Sequence, residues 1–196
     1  MPHPSWKAPP MRRCLFLLLF CSSTFAIAAN RVAAHSWQAG AAKVNITPQA
    51  FMPMSGYASR GAKHADGKLT DLWVKALVLE DAEGRRAVLV TYDLIGIDYG
   101  LSEAICDELA EKHGLRREQI ALNFSHTHTG PVVAKNLRPM HYMLLDEANR
   151  KLVDAYADFV RQESIAVVGA AIESLGPAKI IWGRGTETFA TTRRNN

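Results

Sequence analysis

Cysteine is nearly absent from this 196-residue chain: it has three, and two of them, Cys14 and Cys21, lie in the N-terminal apolar run. Cys106 is left alone, which excludes an internal disulfide framework and leaves stability to a hydrophobic core or a metal. Its position in an apolar-periodic segment marks it as a buried, inert thiol. Charge of one sign is also scarce once it is located. The formal +4 leans on Lys7, Arg12 and Arg13, which residues 1–29 carry without any acid, so the remainder sits near +1. That balance gives no sign of a nucleic-acid partner and no electrostatic reason to expect anionic lipid. Walker, Rossmann and Gly-x-Ser-x-Gly motifs are absent, so nucleotide and serine-hydrolase chemistry lack a carrier. There is no internal repeat and no low-complexity tract. With 48% hydrophobic and 21% charged residues, the composition is that of an ordinary globular domain.

What is present begins with a leader. Met11-Arg12-Arg13 is a short positive region, residues 14–28 are an apolar run, and Ala26-Ile27-Ala28 is the small-x-small pattern that signal peptidase reads. The run is shorter than the roughly 20 apolar residues of a membrane span. The expected organisation is a signal peptide over residues 1–29, cleaved near Ala28 or Ala29, and one domain over 30–196 that is secreted or periplasmic.

Residues 39–46 alternate weakly and read as a strand stopped at Thr47-Pro48. Residues 52–67, with Pro53, Gly56, Gly61 and Gly67, read as a loop. Residues 72–80 and 86–93 are strong strands joined through Asp81-Ala82-Glu83-Gly84 into a β-hairpin. Ser102 is the expected N-cap of a helix over 103–113, with Gly114 as its stop. A short strand over 120–125 follows. A long amphipathic helix over 149–174 then places Tyr156, Val160, Val167 and Ala171 on one side, and Gly176-Pro177 ends it. Residues 178–185 are a last strand candidate. This succession gives an α/β fold, a layered mixed sheet with flanking helices.

Chemistry concentrates in residues 123–131. His126 and His128 lie two apart at the end of a strand, where a period of two places both imidazoles on one face of an extended chain. Open α/β sheets bind ligands outside the carboxyl ends of their strands, which is where this pair falls. Two converging imidazoles make half of a zinc site, which needs a third and often a fourth ligand; on spacing alone, structural histidines or a chance pair fit as well. Ser125, Thr127 and Thr129 either orient the rings or are ordinary loop hydroxyls. Asp93 reads first as a turn residue and second as an orienter of a histidine. Asp71 reads as a cap, His64 as solvent-exposed, and His141 as packing among Met140, Tyr142 and Met143, with contact to an acyl chain as the alternative.

The run His126-Thr127-His128-Thr129-Gly130-Pro131 resembles the HTHSGP signature of the neutral/alkaline non-lysosomal ceramidases, with Thr129 in place of the usual Ser. Residues 39–48 resemble that family's opening strand, Pro53-Met54-Ser55-Gly56-Tyr57 its next loop, and residues 71–79 and 88–97 its following two strands. Thr192-Arg193-Arg194-Asn195 resembles its Asn-Arg-Arg segment, so the resemblance runs in collinear order over residues 39–195. It implies a zinc amidohydrolase acting on the amide of ceramide or a related N-acyl lipid. In that family two histidines, a glutamate and a tyrosine hold Zn2+, whose water attacks the carbonyl. His126 would be the first zinc histidine, His128 a neighbour serving substrate or water, and Arg194 a cation near substrate oxygens. The segments that carry the remaining ligands in that family have no counterpart here, so the chain is expected to be the N-terminal portion of the catalytic domain. Two alternatives stand beside this reading. One is a related hydrolase of another amide or ester on the same scaffold; the other is a secreted binding domain without a complete metal site. Contact with a membrane periphery stays open, and the sequence is silent on oligomeric state.

Overall fold

A computed structural model describes residues 37–189; the signal-peptide reading of residues 1–29 and the Arg193-Arg194 reading lie outside the described residues. Five strands form one sheet: β1 (Trp37–Asn45), β2 (Trp73–Asp81), β3 (Arg86–Tyr92), β4 (Ile120–Phe124) and β5 (Gly176–Ala178). Their order is β4-β3-β2-β1-β5. Only the β3–β4 pair is parallel, and it is bridged by α1 (Tyr99–His113). The second helix, α2 (Glu147–Glu173), runs back across β1 and β2. The result is the expected layered mixed sheet with flanking helices.

Local chemistry explains each element. In the β2–β3 turn, Asp81 Oδ1 accepts the backbone N–H groups of Glu83 (3.0 Å) and Arg85 (2.8 Å), and Gly84 supplies the positive φ of 77°. Alternation then buries Val74, Ala76 and Val78 of β2 with Val88, Val90 and Tyr92 of β3 on one face. These residues join Ile105 and Leu109 of α1 and Val153, Val160 and Val168 of α2 in a single cluster. The Tyr92 hydroxyl donates to Ser164 Oγ (3.0 Å), which donates to the Val160 carbonyl, so a buried phenol and a buried hydroxyl are both satisfied. Burial pushes the Tyr92 phenol far above its ordinary range. The opposite face of the sheet carries Lys43, Lys75, Leu77 and Leu89, with the two leucines 37% and 40% exposed. Among the described residues no helix covers that face.

Gly40 sits where β1 passes under α2. A Cβ there would lie 2.0 Å from the Ala171 carbonyl oxygen, so strand and helix touch backbone to backbone. Cys106 is buried, as its apolar surroundings suggested, and burial raises its thiol pKa.

Three boundaries differ most from expectation. Asp98, and not Ser102, caps α1 by accepting from Leu101 N–H (3.1 Å), so the helix starts a turn earlier. Gly114 stops it in the left-handed region, as expected. The last strand is three residues, Gly176–Ala178, and residues 179–189 have no regular structure. Gly176 and Pro177 therefore belong to a strand instead of ending a helix. Pro177 is tolerated because β5 is an edge strand that needs no donor on its outer side.

Candidate functional site

Because β3 and β4 are parallel, their C-terminal ends open on one edge of the sheet. Their pairing also continues past both strands. Ser125 N–H donates to the Tyr92 carbonyl and His126 N–H to the Leu94 carbonyl, each at 3.0 Å. The extension ends at His126, whose φ of 56° is left-handed. That conformation costs a non-glycine residue about 1–2 kcal/mol. The expectation of two histidines on one face of an extended strand is therefore corrected, since β4 stops at Phe124 and the chain turns at His126. The kink still brings the pair together. The rings stand edge to face with centroids 5.1 Å apart.

His126 is oriented by backbone. Its Nδ1 lies 3.0 Å from the Ile95 carbonyl oxygen. A carbonyl can only accept, so Nδ1 carries the proton and Nε2 keeps the free lone pair of the neutral ring. Metal-binding histidines are held in this way, with one nitrogen engaged and the other basic. The threonine hydroxyls do not perform that task. Thr127 Oγ1 accepts Thr129 N–H (3.2 Å) and lies 2.8 Å from Thr129 Oγ1, which shapes the loop and leaves the rings to other partners.

His128 is enclosed by the loop over residues 52–67. Ser55 N–H donates to the Gly130 carbonyl and Val132 N–H to the Pro53 carbonyl, each at 2.9 Å, so two distant segments pair just beyond the histidines. The Tyr57 ring meets the His128 ring edge to face at 4.7 Å. Arg60 lies over Tyr57 and donates to the carbonyls of Ser55 (2.6 Å) and His128. Gly56, with φ of 105°, leaves no room for a Cβ beside His128, and its N–H donates to Nε2 of His141 (3.1 Å). His141 is 1% exposed, so the packing expectation holds, but its ring also has a polar contact.

The remaining candidates play plainer parts. Asp93 Oδ2 accepts Trp73 N–H (3.0 Å) and lies 3.9 Å from Lys75, closing the strand end as a turn residue should. Asp71 accepts from Lys68 (2.5 Å) and Thr47 (3.0 Å), and the Lys68 bond holds its carboxyl below the usual range. His64 is not free in solvent: it is half-buried and its Nε2 donates to Asn149 Oδ1 at 2.6 Å, tying the loop to α2. Sequence reasoning missed Arg60 altogether and missed the contact between Gly56 and His128. The dense Gly and Pro spacing of residues 53–61 was the available signal.

A tetrahedral zinc site takes three or four protein donors. Among the described residues no group of three His, Cys, Asp or Glu side chains is placed to hold a metal. His126, with its Nδ1 engaged and Nε2 basic, fits one corner of such a site and no more.

One buried imidazole, His141, and one half-buried one, His113, give the domain a pH dependence. Burial, aided by Arg60, lowers the His141 pKa below 6.5, and burial with Lys112 and Arg86 does the same to His113. The unfolded chain then takes up these protons first. Stability present above about pH 6.5 is lost as pH falls below it toward the lowered folded values. Thermal unfolding followed from pH 7.5 to 5 should show a falling midpoint. The slope should flatten in a His113→Gln/His141→Gln variant.

A family model described as neutral/alkaline non-lysosomal ceramidase, N-terminal, matches residues 37–196. The crystal structure of neutral ceramidase from Pseudomonas aeruginosa is similar to this chain over 72% of its length, with 25% identity and a TM-score of 0.57. The match covers 22% of that chain, so this sequence spans far less than two thirds of its relative. Fold, motif order and family match agree: the chain belongs to the neutral/alkaline non-lysosomal ceramidase family and corresponds to its N-terminal part.

Proposed function

We propose that the chain is the N-terminal portion of an exported, zinc-dependent amidohydrolase that cleaves the amide of ceramide or a related N-acyl lipid. The observation that carries this reading is His126. Its proton is committed to Ile95 and its Nε2 stands basic at the carboxyl edge of the sheet. In that role His126 holds one position on the metal, and the other ligands come from outside the described residues. Zinc, when bound, supplies a water acidic enough to ionise near pH 7. His128 stands beside His126 and positions substrate or water, and Arg194 offers a cation to the substrate's oxygens. Residues 1–29 direct export and are removed.

The test uses the whole polypeptide that carries this sequence, purified from the secreted or periplasmic fraction. Its N-terminus should begin near residue 29 or 30, zinc should approach one per chain, and a fluorescent N-acylsphingosine should be cleaved. His126→Ala should lose zinc to below ~0.2 per chain and activity by at least ~100-fold. Full zinc and activity in that variant would sink the assignment. Cleavage of N-acyl sugars in place of N-acylsphingosine would move the substrate class while keeping the metal reading.

A further inference from the structure

We infer that His141 is a positioning residue: it locks the Ser55–Gly56 peptide plane and, through it, the placement of the His128 imidazole. The Ser55–Gly56 peptide unit is gripped at both ends. Its carbonyl, Ser55 C=O, accepts from Arg60 at 2.6 Å, and its N–H, on Gly56, donates to His141 Nε2 at 3.1 Å. Both polar ends of a single plane are therefore held by side chains, from opposite directions. Arg60 also donates to the His128 carbonyl, so the cation that fixes the plane fixes the histidine's backbone as well. The plane can stand only one way round, because turning it over would point an N–H at a guanidinium and a carbonyl at a lone pair.

The coupling to His128 is steric. Gly56 adopts φ of 105°, and the space where its Cβ would be lies 2.5 Å from His128 Cγ. Gly56 packs against His128 with no room even for a Cβ, so a backbone that shifts once the plane loses its anchors is felt at that ring. Tyr57, the next residue, meets the same ring from its edge at 4.7 Å.

His141 is suited to this task and poorly suited to packing alone. It accepts through Nε2, so its own proton sits on Nδ1, and that atom is buried without a partner among the described residues. A buried donor left unsatisfied is unfavourable, and an apolar side chain of similar size would fill the space without it. The backbone that carries the ring is held, since His141 N–H donates to the Leu137 carbonyl (3.1 Å) and its carbonyl accepts from Leu144 N–H (2.9 Å).

This inference rests on the proposed function only where it links His128 to catalysis. The structural part is tested first in the unaltered, nitrogen-15-labelled chain. A nitrogen–nitrogen coupling across the hydrogen bond should connect Gly56 to His141 Nε2; its absence would overturn the proposal. His141→Leu should then speed hydrogen exchange at the Gly56 amide at least tenfold and shift the His128 ring nitrogen resonances. His141→Gln, which restores an acceptor at similar reach, should leave both near the original values. Unchanged exchange and resonances in the leucine variant would equally overturn the proposal. In the whole hydrolase, His141→Leu should lower kcat with KM little changed, and the glutamine variant should recover it. An unchanged kcat alongside shifted resonances overturns the link to catalysis, while the zinc reading is judged separately by His126.

Discussion

Gly40→Ala is expected to lower the stability of the domain by about 3–5 kcal/mol, at the upper end of overpacking effects. The added Cβ would lie 2.0 Å from Ala171 O and 2.9 Å from both Leu175 N and Ser174 Oγ. Two of these three atoms are backbone, so no rotamer change relieves the clash. Neither wall can easily retreat. β1 is paired on both sides, Gly40 with Val78 of β2 and the neighbouring Ala39 with Gly176 of β5. The helical side is held by the Ser174 hydroxyl, which donates to Ala171 O at 2.9 Å. α2 would have to lift from the sheet and loosen the cluster that contains Val74, Val78 and Val168. Denaturant unfolding checks this, with Gly67→Ala as the comparison. Gly67 has open space around it and no positive φ, and its substitution should stay within about 0.5 kcal/mol. A loss below about 1 kcal/mol in Gly40→Ala would contradict the backbone contact between β1 and α2.

Gly56→Ala should cost about 2–4 kcal/mol, and its damage should fall on the histidines. Here the contacts are His128 Cγ, Cβ and Cα at 2.5, 2.6 and 2.8 Å, and φ of 105° is itself unfavourable for any residue with a Cβ. Gly61→Ala separates the two contributions. Gly61 also has a positive φ, 56°, but nothing within 4 Å, so its substitution carries only a backbone cost of about 1–3 kcal/mol. The excess of Gly56→Ala over Gly61→Ala measures the pressure on His128. Where the variant folds, the His128 ring must move from its 5.1 Å approach to His126, and ring resonances in a nitrogen-15 spectrum would report it.

The hairpin, both helices and the stop at Gly114 were readable because each is written in local sequence. Alternation sets β2 and β3, and a glycine after a helical run sets the end of α1. The start of α1 was not readable in the same way. Asp98 and Ser102 are both good caps by type. Asp98 also accepts Lys135 N–H at 2.6 Å, a contact 37 residues away that local pattern cannot contain. Residues 178–185 carry strand-forming side chains, yet Ile181 and Trp182 are 79% and 85% exposed. The register of β5 on β1 ends at Ala178. At the candidate site the motif pointed to residues 126–131, and the fold brings the two histidine rings of that segment together. A period-two argument presumes extended backbone, and His126 leaves it. The connection from His141 to Gly56 spans 85 residues and joins a Met-rich turn to a Gly-rich loop, so no spacing rule would have found it.

The parallel pairing of β3 with β4 also sets an order of events. A hairpin of β2 and β3 closes over a short turn, whereas β4 reaches its place only after the crossover through α1. The Leu94 and Ile95 carbonyls that seat His126 lie beyond that late-forming pair. A nascent chain with the hairpin alone thus has a rotating imidazole and no fixed tautomer. The seat that orients the His126 ring is therefore completed only once the crossover has docked, and the hairpin by itself carries none of it.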